Sequence, residues 1–129
     1  MALDPTLRQL ASGKNFAAMT TLMPDGQPQT QIMWVHADED HLIINTETGR
    51  QKFRNIEADP RVTIAVFDAE NPYAYAEGRG RVVATETGAP AVDSINALSQ
   101  KYMGQDYPAD TSNRVILTIA VDRVHRNNV

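Results

Sequence analysis

The chain has 129 residues and a formal charge of −4, and 42% of its residues are hydrophobic. That size and mix describe one globular domain over the whole chain, and the acidic balance argues against a nucleic-acid binder, which needs clustered cations to displace counterions from phosphates. The sequence has no cysteine, so disulfides, thiolate nucleophiles and cysteine-ligated metals are excluded.

Asp4-Pro5 reads as an N-cap followed by proline at the first helical position, and Leu7, Leu10 and Ala11 recur at helical spacing up to Ser12. No long apolar run follows Met1, and no stretch approaches the roughly 20 apolar residues that span a bilayer, so neither leader nor anchor is expected and the expected compartment is the cytoplasm. Phe16 to Met23 predicts a strand, and Pro24-Asp25-Gly26 a turn. From Gln27 to Val35 polar and apolar residues alternate, with Gln29, Gln31 and Met33 on one face and Thr30, Ile32 and Trp34 on the other. A turn at Asp38-Glu39-Asp40 precedes a strand from His41 to Thr46. An antiparallel meander is the simplest topology for these three strands.

Arg50 to Ala58 predicts a helix with Phe53 and Ile56 inward, ended by Asp59-Pro60. Arg61 to Phe67 is a strand, and Tyr73 to Thr85 a longer one, bent or bulged at Gly78 and Gly80. Pro90 to Tyr102 predicts a third helix, and Arg114 to Val124 the sixth strand, with Val115, Leu117, Ile119 and Val121 on one face. The expected fold is therefore mainly β: six antiparallel strands closing into a small barrel that hides its edges, with about three short helices.

The chemistry concentrates in Thr46-Glu47-Thr48-Gly49-Arg50-Gln51-Lys52, which leaves a strand, turns at glycine and enters a helix. Unpaired N–H groups at a helix start suit an anion. Two hydroxyls, Thr46 and Thr48, and the cations Arg50, Lys52 and Arg54 gather at that point. The plain alternative is a solvated helix end, although cations in the first turn oppose the helix dipole. Elsewhere the plain reading prevails: Trp34 and Met33 as core, Gln29 and Gln31 as a wet strand face. His36, His41 and His125 have no zinc-type spacing, and Ser94, Ser99 and Ser112 lack a nucleophile elbow, so neither a metal nor a serine hydrolase is expected.

Thr46-x-x-Gly49-Arg50-x-Lys52, followed by Asn55-Ile56-Glu57-x-Asp59-Pro60-Arg61-Val62, resembles the signature of the pyridoxamine 5′-phosphate oxidase-like split barrels. Asn71-Pro72-Tyr73-x-Tyr75-x-Glu77-Gly78-Arg79-Gly80-Arg81-Val82 resembles the subgroup whose members mostly use the deazaflavin coenzyme F-420. The likeness runs from about Phe16 to Val124.

The resemblance implies a homodimeric split β-barrel with a cofactor site at the subunit interface. Thr46, Arg50 and Lys52 would hold the cofactor phosphate, and Thr48 and Arg54 remain candidates beside them from the pattern of the turn. Gln31, Ile32, Met33 and Trp34 would line the ring. Tyr75, Arg79, Tyr102 and Arg114 are further cofactor-binding candidates, some of them contributed across the interface. Reduced coenzyme F-420 donates hydride, so the implied function is an oxidoreductase acting on an electron-poor small molecule, an activated alkene or quinone-like acceptor. FMN is the alternative cofactor, and a non-catalytic binder of flavin, heme or tetrapyrrole the alternative class. No catalytic residue is assigned, since a cofactor of this kind carries the chemistry itself.

Overall fold

In the computed structural model, which describes residues 2–129, helix α1 (Pro5–Ser12) begins where its capping signal lies. The Asp4 carboxylate accepts from the Leu7 N–H at 3.0 Å and Pro5 follows it. The helix buries Leu7 and Ala11, the face its spacing predicts.

Seven strands then build one antiparallel sheet: β1 (Phe16–Leu22), β2 (Pro28–Met33), β3 (His36–Ala37), β4 (Leu42–Glu47), β5 (Arg61–Phe67), β6 (Tyr75–Glu86) and β7 (Arg114–Asn127). Their order across the sheet is β2-β1-β5-β6-β7-β4-β3. Helix α2 (Gln51–Ala58) connects β4 to β5, and α3 (Ala89–Met103) connects β6 to β7. All six expected strands and all three helices are present, joined by the short extra strand β3.

The meander expected for the first three strands is replaced by two separate hairpins. β1 pairs with β2 and β3 with β4, but β2 and β4 lie at opposite ends of the sheet. The break falls at Trp34-Val35. Val35 is fully buried, and its backbone is satisfied by side chains of α3 instead of a neighbouring strand. Its N–H donates to the Tyr102 hydroxyl at 3.2 Å, and its carbonyl accepts from Lys101 Nζ at 2.6 Å. The two free edges of the sheet are thus joined by two residues, and the three virtual bonds from Met33 to His36 span at most about 11 Å. The sheet curls into a barrel that is split at this seam.

Alternate residues fill the interior: Ala17 and Met19 of β1, Val62, Ile64 and Val66 of β5, Leu42 and Ile44 of β4, and Val115, Leu117 and Ile119 of β7. α1 and α2 contribute Leu7 and Ile56 to the same core. The long strand β6 carries register shifts at Arg79/Gly80 and Val82/Ala84 where it crosses β7. At Gly80 the backbones come so close that a Cβ would lie 1.8 Å from the Ala120 carbonyl oxygen, which explains the glycine.

The inward face of α2 differs from expectation. Lys52, Asn55 and Ile56 are buried and Phe53 only half so. Asn55 Nδ2 donates to Thr21 Oγ1 at 3.0 Å and to Gln29 Oε1 at 3.3 Å, which ties the helix to the first hairpin. The face of β2 expected to be wet is therefore the half-buried one, while Thr30 and Ile32 are exposed.

Candidate functional site

β4 and β7 pair antiparallel, with Glu47 opposite Arg114 and Asn45 opposite Ile116. This register sets Arg114 beside Asn45 and Glu47 of β4. Its Nε donates to Asn45 Oδ1 at 2.8 Å, and its guanidinium lies 3.5 Å from the Glu47 carboxylate. Glu47 also pairs with Arg50 at 3.0 Å. The turn after β4 is closed by Thr48 N–H on the Asn113 carbonyl, 3.0 Å, and by Arg50 N–H on the Glu47 carbonyl, 3.1 Å. The chain then enters α2 with no side-chain cap and no acid in its first turn.

Lys52 lies on the inward face of that first turn. It is 4% exposed and donates to Thr46 Oγ1 at 3.2 Å. Burial, then the charges of Arg50 and Arg114, lower its pKa to about 8, against the opposing pull of Glu47. Three cations thus share one carboxylate, and the point between them favours an anion.

The opposite wall is apolar and aromatic. Trp34 stacks on Tyr102 with centroids 5.1 Å apart and meets Tyr107 edge-on at 6.4 Å. The Arg114 guanidinium sits 5.2 Å from the Tyr107 centroid, a cation–π contact that links wall to floor. Ile32, Met33, Ile95 and Leu98 complete a cleft of about 260 Å³. Ile32, at its rim, is 62% exposed.

Of the residues singled out in the sequence, Ile32, Met33, Trp34, Thr46, Arg50, Lys52 and Arg114 converge on this one cleft. Tyr102 stands behind Trp34 and orients it. Gln31 lies on β2 opposite Met19, outside the lining, and Thr48 belongs to the turn. Arg54 donates to the Gly49 carbonyl at 2.9 Å and to Gln51 at 2.7 Å, so it braces the turn from outside. Tyr75 lies against Ala65, Phe67 and Pro72, and Arg79 pairs with Glu77 at 3.0 Å, both away from the cleft of their own chain.

Asn45, Glu47, Tyr107, Ile95 and Leu98 line the site without having been anticipated. Tyr107 had a signal, being the one aromatic in the polar loop between α3 and β7. Asn45 and Glu47 had none, because their importance depends on the β4–β7 pairing.

A phosphate or phosphodiester suits this donor set: a hydroxyl, an ammonium, two guanidinium groups and an uncapped helix start, all beside a ring-sized apolar wall. The sequence matches the family described as Pyridoxamine 5'-phosphate oxidase over residues 3–128, and the chain belongs to that family. Among solved structures it is similar to an F-420 reductase, with 33% identity, a TM-score of 0.83, and 95% of this chain and 98% of that one covered. It also shares its fold with General Stress Protein 26 from Bacillus anthracis, at 17% identity and a TM-score of 0.73, with 95% and 92% covered. HupZ from Group A Streptococcus matches at 20% identity and a TM-score of 0.70, with 98% and 99% covered. No functionally curated protein matches the sequence.

Proposed function

We propose that this protein is an oxidoreductase that holds coenzyme F-420 in the cleft and serves hydride transfer to an electron-poor small molecule. The observation that carries the reading is Lys52, a buried ammonium whose side-chain hydrogen bond is to the Thr46 hydroxyl, set among further cations beside an aromatic wall. The similarity to an F-420 reductase over nearly the whole of both chains supports the choice of deazaflavin. The cofactor, when bound, supplies the hydride. The chain's own residues bind and orient: Lys52, Thr46 and Arg50 hold the phosphate, Arg114 fixes Tyr107, and Trp34 with Ile32 and Met33 bounds the ring.

FMN is the second reading, favoured by the family match over residues 3–128 and served by the same phosphate residues. The two cofactors differ in the acidic oligoglutamate tail of F-420, which wants a basic groove; Lys14, Arg50 and Arg54 are the candidates to offer one. Arg54 is engaged by the turn, and Lys14 sits in the loop between α1 and β1.

The exposed rim at Ile32 calls for a second copy of the chain to close the cleft, and Tyr75 and Arg79 would reach it from that copy.

Fluorescence titration with F-420 and with FMN tests the reading. Tight F-420 and weak FMN binding is the expected result, and Lys52→Ala should weaken the former by about 1–3 kcal/mol, the loss of a charge-assisted contact. Unchanged affinity in that variant removes the phosphate assignment. Preferential FMN binding moves the protein to the flavin reading.

A further inference from the structure

A second cavity, of about 470 Å³, lies along α3 and shares only Leu98 with the cleft. Ile43 of β4, Ile116 of β7, and Ala97 and Leu98 of α3 give it apolar walls. Lys101, half-buried, is its cation. The Lys101 ammonium donates to the carbonyls of Ala11, at 3.0 Å, and Val35, at 2.6 Å. An ammonium has three donors, so one remains. Among the described residues no carboxylate pairs with Lys101, in contrast to Lys52, which has Glu47 nearby. Burial alone lowers its pKa to about 8. Two carbonyls and the Tyr102 ring, 4.8 Å from the ammonium, support this half-buried charge, but a counter-charge is missing and an anion would supply it.

The other ionisable groups at this cavity do not fill that role. His36 is neutral or cationic and has no negative charge to offer; burial and then the charge of Lys101 lower its pKa, against a smaller opposite pull from Asp38. Glu86 is exposed at the far end of β6, where solvent screens it.

We propose that this cavity is a second binding site, for a small, mainly apolar carboxylic acid whose carboxylate takes the remaining N–H of Lys101. The volume lies within the range of small-molecule sites, about 300–1,000 Å³. Lys101 also grips the Val35 carbonyl beside Trp34, the one tryptophan, so occupancy reports through that fluorophore.

Phenylbutyrate is the probe, with phenylbutanol as its neutral analogue, titrated into the full chain by calorimetry and by Trp34 fluorescence. The acid is expected to bind roughly tenfold or more tightly than the alcohol, as for a charged hydrogen bond. Lys101→Met should remove that preference. Ala97→Phe, a change at an exposed helical position, should block the cavity and abolish binding, while Lys52→Ala should leave it intact. Equal affinity for acid and alcohol, retention in Ala97→Phe, loss in Lys52→Ala, or no binding of the acid each overturns the proposal. None of these results bears on whether F-420 occupies the other cleft.

Discussion

At the residue scale, Lys52 is where the proposed binding would couple to pH. Its folded pKa, about 8, lies below the ordinary 10.5, so it holds its proton less firmly in the folded chain than in the unfolded one. Binding of a phosphate needs the protonated form. Affinity is therefore expected to be full below about pH 8 and to fall as pH rises through it, and Lys52→Ala should flatten that profile in the same titration. For the free protein the sign reverses: the unfolded state binds more protons between about pH 8 and 10.5, so this lysine and Lys101 both make stability rise with pH across that window. Tyr102 is the other residue with a sharp consequence. Its hydroxyl donates to the Asn15 carbonyl and receives the Val35 N–H at 3.2 Å. Tyr102→Phe leaves a buried N–H unpaired and should lower stability in urea by about 1–3 kcal/mol.

Among the elements, β6 and the turn into α2 use their glycines for different reasons. A Cβ at Gly80 meets backbone at 1.8 Å, whereas a Cβ at Gly49 meets nothing within 4 Å. Gly80→Ala should destabilise by the upper end of the about 1–3 kcal/mol typical of overpacking, measured by denaturation. Gly49→Ala should change stability by no more than about 0.5 kcal/mol. Any loss of cofactor affinity in that variant then reports space a ligand uses. The elements themselves were legible wherever a period ran unbroken: Val62 to Val66, Val115 to Ile119, and the capped start at Asp4. The inward face of α2 was hidden because it is polar, and Lys52 and Asn55 are buried only because Thr46, Thr21 and Gln29 wait for them. The seam at Trp34-Val35 was hidden for a related reason, since its backbone partners come from a helix more than sixty residues onward. Of the residues lining the cleft, Thr46, Arg50 and Lys52 could be named from the turn after β4, and Ile32, Met33 and Trp34 through the family resemblance. Arg114 joined it through a likeness to relatives, and Glu47 and Asn45 became visible only once β4 had found β7.

For the whole molecule, the outward face that runs from exposed Ile32 past the half-buried Ala18, Ala65 and Tyr75 is the surface expected to meet a second copy. Ile32→Asp should shift the protein toward monomer in analytical ultracentrifugation without unfolding it, and should weaken cofactor binding in parallel. A monomeric variant that binds as tightly as its parent would show that one chain suffices.

The last strand places a limit on when the site can exist. β7 is the strand that joins β4 to the rest of the sheet: its first half pairs with β4, and its length runs along β6. The partners are distant in sequence, Ile44 with Leu117 and Thr46 with Val115. While a ribosome is still making the chain, Thr46, Glu47 and the start of α2 have no sheet to rest on and no Arg114 beside them. Ligand binding at the cleft is thus expected only once β7 has been made, and a nascent or clipped chain lacking β7 is expected not to bind.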